Sequence, residues 1–465
     1  MTTDTNRNFS ELGEKPIRGL LWQYALPAIM AMTASSLYNI VDGIFIGQGV
    51  GGAAIMGLAL TTPLMSLTAA FGAMVGVGAS TLMSIRLGQR DYQTVKNILG
   101  NVLIMNSVIA LVLAAVLQIY LEPILRFFGA SDVTLPYAYD FMTVILAGNI
   151  FTHLYLGLNA LLRSTSRPRQ AMYATLGTVA INLVLAPIFI FVLGWGIRGA
   201  ATATVTAQAL MLLWQIKLFS NKNELVHLSR DIMRVDFRIV RESLVIGLPQ
   251  FLVNLCACTL AIIVTRSMAE YGGDIAVGAF GINNRLMMFV VLLVIGLNQG
   301  MQPIAGYNFG ARKNDRLIAV VKLTALVATV ITTTGFLIGE FLTVPCVSLF
   351  AKDSPELISE AAHGMRIAVM FFPFIGLQIV STAFFQSIGM PARSILLSLS
   401  RQMLFLLPGL LILPHFFDVP TDGVWYAMPV SDAMATLLSA ILLGREIRKL
   451  KNQKGQVPDG AVASV

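Results

Sequence analysis

Short polar breaks divide this polypeptide into apolar stretches of about 20 residues, the length at which a helix crosses the hydrocarbon core of a bilayer. In lipid every backbone N–H and C=O must bond within the protein, so a chain built this way folds as membrane-spanning helices. Twelve spans are expected, at about 17–46, 53–82, 97–120, 136–162, 171–194, 199–218, 240–265, 277–304, 318–344, 359–387, 394–413 and 424–444. Of the 465 residues 56% are apolar and 12% charged, against roughly 45–50% and about 25% in soluble chains; the mean hydropathy is +0.75. A disordered, collagen-like or nucleic-acid-binding protein is thereby excluded. Cys256, Cys258 and Cys346 form no disulfide framework. The polar first 16 residues, of mixed charge, give no sign of a cleavable signal peptide.

The net charge of +8 is an orientation signal, because Lys and Arg concentrate on the cytoplasmic side of spanning helices. With both termini cytoplasmic, the inside segments hold 25 Lys and Arg and the outside loops hold 4, namely Arg126, Arg198, Arg266 and Lys352. Three further cations, Arg285, Arg366 and Arg401, fall within spans.

The chain also repeats itself. Pro27 and Pro249, Gly78 and Gly300, Gly88 and Gly310, Pro123 and Pro345, and Phe128 and Phe350 are each 222 residues apart. Six spans per half is an even number, so both halves enter the membrane from the same side and the repeat is parallel, about an axis along the membrane normal. The expected organisation is a cytoplasmic tail (1–16), an N-lobe (17–218), a basic cytoplasmic linker (219–239), a C-lobe (240–444) and a second cytoplasmic tail (445–465). The fold class is therefore all-α and polytopic, with twelve transmembrane helices in two six-helix bundles.

Two homologous bundles enclose a central cleft whose access can alternate, which makes transport the default mechanism. No phosphate-binding loop marks an ATP site, and the four histidines lack metal-ligand spacing. An enzyme or a scaffold would need a catalytic cluster or a large surface outside the membrane, and the sequence offers neither. An ion gradient is left as the energy source. Asp42 is the most informative residue, since an ionisable group at membrane depth is expensive and faces a wet cavity. Ser35, Tyr38 and Asn39 precede it by seven, four and three residues and share its helical face. Such a carboxylate binds a proton or Na⁺; its alternative role is to cap the Gly-rich turn that follows.

At these residues the sequence resembles the MATE (multidrug and toxic compound extrusion) family, in its DinF/MepA-like bacterial branch. The likeness is carried by LYNIVDGIFIGQGVG at 37–51, GVGASTLMSIRLGQRD at 76–91, NALLRSTSRP at 159–168, INLVLAP at 181–187, GIRGAATAT at 196–204, GLPQ at 247–250 and QGMQPIAGYNFGARKND at 299–315. The resemblance implies a proton- or Na⁺-coupled antiporter, with no cofactor, that exports amphipathic and often cationic drugs through alternating access. It further implies a monomer in the bacterial inner (cytoplasmic) membrane. An ion-coupling site of Asp42, Asn182 and Thr204 is implied likewise. One member departs from the pattern, because Ala186 stands where the family carries a fifth-helix Asp before Pro187. The acidic residues that another branch uses in the seventh and tenth helices are also missing, which leaves Asp42 as the coupling carboxylate.

The expected substrate cavity comprises Ser35, Tyr38, Asn39, Asn159, Gln250, Asn254, Asn283 and Arg285. Buried amides serve equally well as structural glue between helices. Arg401 and Asp432 are expected to be mutual partners, and His153 to be a packing residue or a proton relay. Pro27 and Pro249 should bend or loosen their helices. A flippase for lipid-linked or polyisoprenoid-linked substrates is the alternative within transport, and it would need a strongly cationic cavity.

Overall fold

A computed structural model describes residues 11–348 and 354–453. Lys352, Phe350 and the outer parts of both tails lie outside the described residues.

The first half contributes α1 (Ile17–Gly49), α2 (Gly52–Gly88), α3 (Tyr92–Ile119), α4 (Leu135–Ala147 and Asn149–Ser164), α5 (Pro168–Pro187, continued through Ile188–Val192) and α6 (Gly196–Phe219). The helix Phe237–Gly310 contains two spans. Gly273, at φ 63° and ψ −158°, breaks it into α7 (237–272) and α8 (274–310). Then come α9 (Asn314–Phe341), α10 (Pro355–Ala368 and Phe372–Ser387), α11 (Pro391–Leu399, widened through Ser400–Leu406 and closed by Leu407–Ile412) and α12 (Pro420–Asn452). The described residues thus form a 12-helix bundle pair. Several helices extend past the expected spans: α7, α8 and α12 continue into polar residues at their ends.

The two halves repeat in backbone detail. α4 bends by 56° at Gly148 and α10 by 57° around Val369–Phe371. Short helices follow α3 and α9 at Leu121–Phe127 and Thr343–Ser348. Positive φ recurs at Gly51 and Gly273, where successive spans turn over. It recurs again at Arg90 and Arg312, which occupy the same place in the two halves. Pro27 and Pro249 lie inside continuous helices.

The apolar cores explain how the lobes meet. At the end carrying the termini, one core combines α2, α3, α4 and α6 with Ile239 and Ile246 of α7. The other combines α8, α9 and α10 with Leu20, Leu21, Tyr24 and Ala25 of α1. Each lobe thus lends the start of one helix to its partner's core. At the opposite end each core draws on one lobe alone: Ile46, Leu64, Phe141 and Ile190 in one, Leu260, Val347, Trp425 and Leu410 in the other. The protein is therefore sealed at the end carrying the termini and divided at the far end.

Glycine makes the seal possible. A Cβ on Gly78 would fall 1.9 Å from the Ser243 carbonyl oxygen, and one on Gly300 would fall 2.5 Å from the Ala25 nitrogen. These two crossings, α2 on α7 and α8 on α1, are related by the internal repeat, and small residues let the backbones touch.

Candidate functional site

Between the lobes lies a cavity of about 770 Å³ lined by α1, α2, α4, α5 and α6 on one side and by α7, α8, α10 and α11 on the other. Its N-lobe wall carries a polar cluster. The Asn182 amide, buried on α5, donates to Tyr38 Oη at 2.7 Å and to Thr204 Oγ1 at 2.9 Å. Tyr38 Oη and Thr204 Oγ1 are 3.2 Å apart. Three helices are tied together here through side chains alone.

Asp42 lies one turn beyond Tyr38 on α1, within interaction range of its hydroxyl, and is not among the lining residues. Its Oδ1 is buried without a hydrogen-bond partner, and so is Asn182 Oδ1. Buried acceptors normally find donors. Two orphaned oxygens in one cluster fit a proton or a small cation as the missing partner. Ala186, fully buried one turn past Asn182, packs in the outer core and supplies no second carboxylate.

Of the residues expected at the cavity, Ser35, Tyr38, Asn39, Asn159, Gln250 and Asn254 line it, and so do Asn182 and Thr204, expected at the ion-coupling site. Asn283 and Arg285 stand elsewhere. The Asn283 amide is buried and donates to the Ala361 carbonyl at 2.9 Å, which joins α8 to α10. Arg285 is exposed and takes no part in the cavity wall. The physical reason is helical phase: the cavity-facing stripe of α8 runs through Val291, Ile295, Asn298 and Gln302, and residues a turn or more outward have left it.

That stripe is also the signal that sequence reasoning missed. Polar side chains at three- and four-residue spacing in an apolar helix mark a wetted face. Gln208, Gln378, Gln386 and Gln402 add further amides to the lining. Two cations belong to it as well. Arg163 donates to Asn159 Oδ1 at 2.5 Å. Arg401 donates through Nε to Asp432 Oδ1 at 2.7 Å, which is the expected partnership. It stands in the widened turn Ser400–Leu406 of α11, and such π-type turns often accompany functional sites. His153 is fully buried, its ring nitrogens without partners, and it packs against Gly72 of α2. Among the described residues no group of His, Cys, Asp and Glu is arranged to hold a metal ion.

The family described as MatE matches residues 27–188 and 249–411, one block in each half. The multidrug export protein MepA of Staphylococcus haemolyticus (strain JCSC1435) is 26% identical over 433 residues, covering 92% of this chain and 94% of its own. Its counterpart in Staphylococcus aureus (strain NCTC 8325 / PS 47) is 24% identical over 433 residues. Among solved structures, the outward-facing conformation of a multidrug resistance MATE family transporter of the MOP superfamily matches with a TM-score of 0.90 at 22% identity. That match covers 97% of this chain and 99% of the other, and it establishes the fold.

Proposed function

Since the chain belongs to the MatE family, and is accordingly a membrane transporter rather than an enzyme, we propose that it exports amphipathic small molecules in exchange for protons, with Asp42 as the coupling carboxylate. The observation that carries this reading is the pair of orphaned oxygens, Asp42 Oδ1 and Asn182 Oδ1, in a cluster adjoining the central cavity. A proton on Asp42 supplies the donor that Oδ1 lacks. The substitution of a second carboxylate by Ala186 supports H⁺ over Na⁺, because a cation cage needs several charged or carbonyl oxygens and a proton needs one.

Coupling follows from geometry shared by α1, α5 and α6. Substrate in the cavity reaches the Tyr38 and Thr204 hydroxyls that Asn182 holds together, and the proton sits beside Tyr38 on Asp42. Each occupant biases the packing of α1, which at its other end lies in the core of the opposite lobe. Ion and substrate thereby act on one conformational equilibrium, which is the thermodynamic requirement for exchange. With the termini cytoplasmic, as the 25 to 4 cation asymmetry supports, the conformation sealed at that end is the outward-facing one. The proposed setting is the bacterial cytoplasmic membrane, with the protein acting as a monomer.

Proteoliposomes test the reading. Flux of at least one of two amphipathic dyes, cationic ethidium and a zwitterionic rhodamine, should follow an imposed pH gradient and be indifferent to a Na⁺ gradient of the same size. Flux driven by Na⁺ alone overturns the choice of ion, and flux driven by neither overturns the exchange mechanism.

A further inference from the structure

The charges on the cavity wall are all of one sign. Among the described residues that line it, Arg163 and Arg401 are the charged side chains, and no Asp or Glu is present. Asp432, the partner of Arg401, is nearly fully buried on α12 behind it, with 5% of its side chain exposed. The pair is oriented. Arg401 meets Asp432 through Nε alone, and its two Nη groups have no protein partner and remain accessible. A guanidinium anchored by one edge presents its other donors as a fork of fixed direction, matched to the two oxygens of a carboxylate. Arg163, unlike Arg401, has no ion pair among the described residues and donates to the amide oxygen of Asn159.

The geometry points to a carboxylate-recognition site at Arg401 on the C-lobe wall, and hence to amphipathic organic anions or zwitterions as the substrate class. This deepens the export reading above and rests on it. A purely cationic amphiphile meets no counter-charge on this wall, whereas a molecule with an apolar body and a terminal carboxylate meets both surfaces it needs. Asp432 holds the fork and keeps the half-buried guanidinium paired before substrate arrives, so Asp432 is a positioning residue and Arg401 makes the contact. The Gln402 side chain, whose Oε1 is buried without a partner, stands next in the same widened turn. The turn thus brings a second polar group to the site.

The test is equilibrium binding to the full-length protein in neutral detergent, read by fluorescence polarisation. Its probes are a zwitterionic rhodamine with a free benzoate and the methyl ester of the same dye. The wild type should bind the free benzoate about tenfold more tightly, the scale of a charge-assisted hydrogen-bonded pair. Arg401→Lys keeps a cation opposite Asp432 but loses the fork, and it should reduce that preference at least fivefold. The double variant Arg401→Gln/Asp432→Asn should abolish it while leaving ester affinity within twofold. Equal or tighter binding of the ester by the wild type overturns the proposal, and so does an unchanged preference in Arg401→Lys. Added phosphatidylglycerol should not displace the benzoate dye. Displacement by phosphatidylglycerol and not by phosphatidylcholine, lost in the double variant, would assign the site to a lipid headgroup and overturn the substrate assignment. Binding needs no gradient, so a failed preference removes this inference alone. A failed flux experiment with the preference intact removes the export reading instead.

Discussion

Gly78 of α2 and Gly247 of α7 cross with no side chain between them: a Cβ on Gly78 would lie 2.8 Å from the Gly247 nitrogen, and a Cβ on Gly247 would lie 1.9 Å from the Met74 carbonyl oxygen. The seam between the lobes is built around this crossing and its repeat-related counterpart, Gly300 on Ala25. Gly78→Val must push the two backbones apart at the sealed end. Overpacking of this kind costs about 1–3 kcal/mol, enough to shift a two-state equilibrium by about 5- to 150-fold. Spin labels at Gln89 and Arg241, in opposite lobes, should report a wider separation in the variant than in the wild type. An unchanged distance in a stable variant would show that the crossing does not hold the seal.

A polar latch reinforces the same seam. Arg86 of α2 meets Glu242 of α7 at 3.0 Å, with side chains 22% and 32% exposed. Partial exposure limits such a pair to about 1 kcal/mol or less, so Glu242→Gln should favour the opened seam by no more than about fivefold. High salt should erase most of the difference between variant and wild type. A salt-independent effect would mean that Glu242 acts by packing and not by charge.

How much of this was legible in the sequence depends on which physical constraint each feature obeys. Span length is set by bilayer thickness, and the glycine and proline pairs 222 residues apart mark crossings and turns that both halves need, so the repeat could be read from Gly78/Gly300 and Gly88/Gly310. The cavity wall is set by helical phase and by how each helix is rotated in its bundle. Asn283 and Arg285 were grouped because they are close in sequence, yet two residues on a helix point to nearly opposite sides, and neither reaches the cavity. Arg401 could be paired with Asp432 from the sequence; that its Nη groups open on the cavity depends on the widened turn at Ser400–Leu406, which no local pattern announces. The bend of α4 at Gly148 is equally silent, since it falls where the chain passes so close to Val205 of α6 that a Cβ would lie 2.3 Å from it, a tertiary contact with no local signature.

Asn182 ties α1, α5 and α6 together, so its removal should affect coupling more than affinity. Asn182→Leu leaves Tyr38 Oη and Thr204 Oγ1 without their shared donor, in a site that is buried at Asn182. The Tyr38–Thr204 contact remains, and each of the two hydrogen bonds lost is worth about 0.5–1.5 kcal/mol. Substrate affinity in detergent should change less than threefold while the rate of gradient-driven flux falls at least tenfold. A proportional loss of both would place Asn182 in the substrate contact itself.

Cysteine labelling examines the orientation. Asp132, in the connection between α3 and α4, has an 89% exposed side chain, and Asn221 is exposed in the connection between the lobes. An impermeant thiol reagent added to intact cells should modify Asp132→Cys and spare Asn221→Cys, in a background free of Cys256, Cys258 and Cys346. The reverse pattern would invert the topology and with it the direction assigned to the sealed end.

The measurement that bears most directly on the central claim is proton release during substrate binding, followed with a pH indicator in weakly buffered detergent solution for the wild type and for Asp42→Asn. Asparagine keeps the size and some of the hydrogen bonding of Asp42 but cannot ionise. If Asp42 couples the proton to the substrate, binding to the wild type releases protons, and the variant binds substrate with no release. The variant, reconstituted in proteoliposomes, also fails to concentrate substrate under a pH gradient. Proton release of wild-type size from Asp42→Asn, or pumping at the wild-type rate, would contradict the account and move the coupling site away from Asp42.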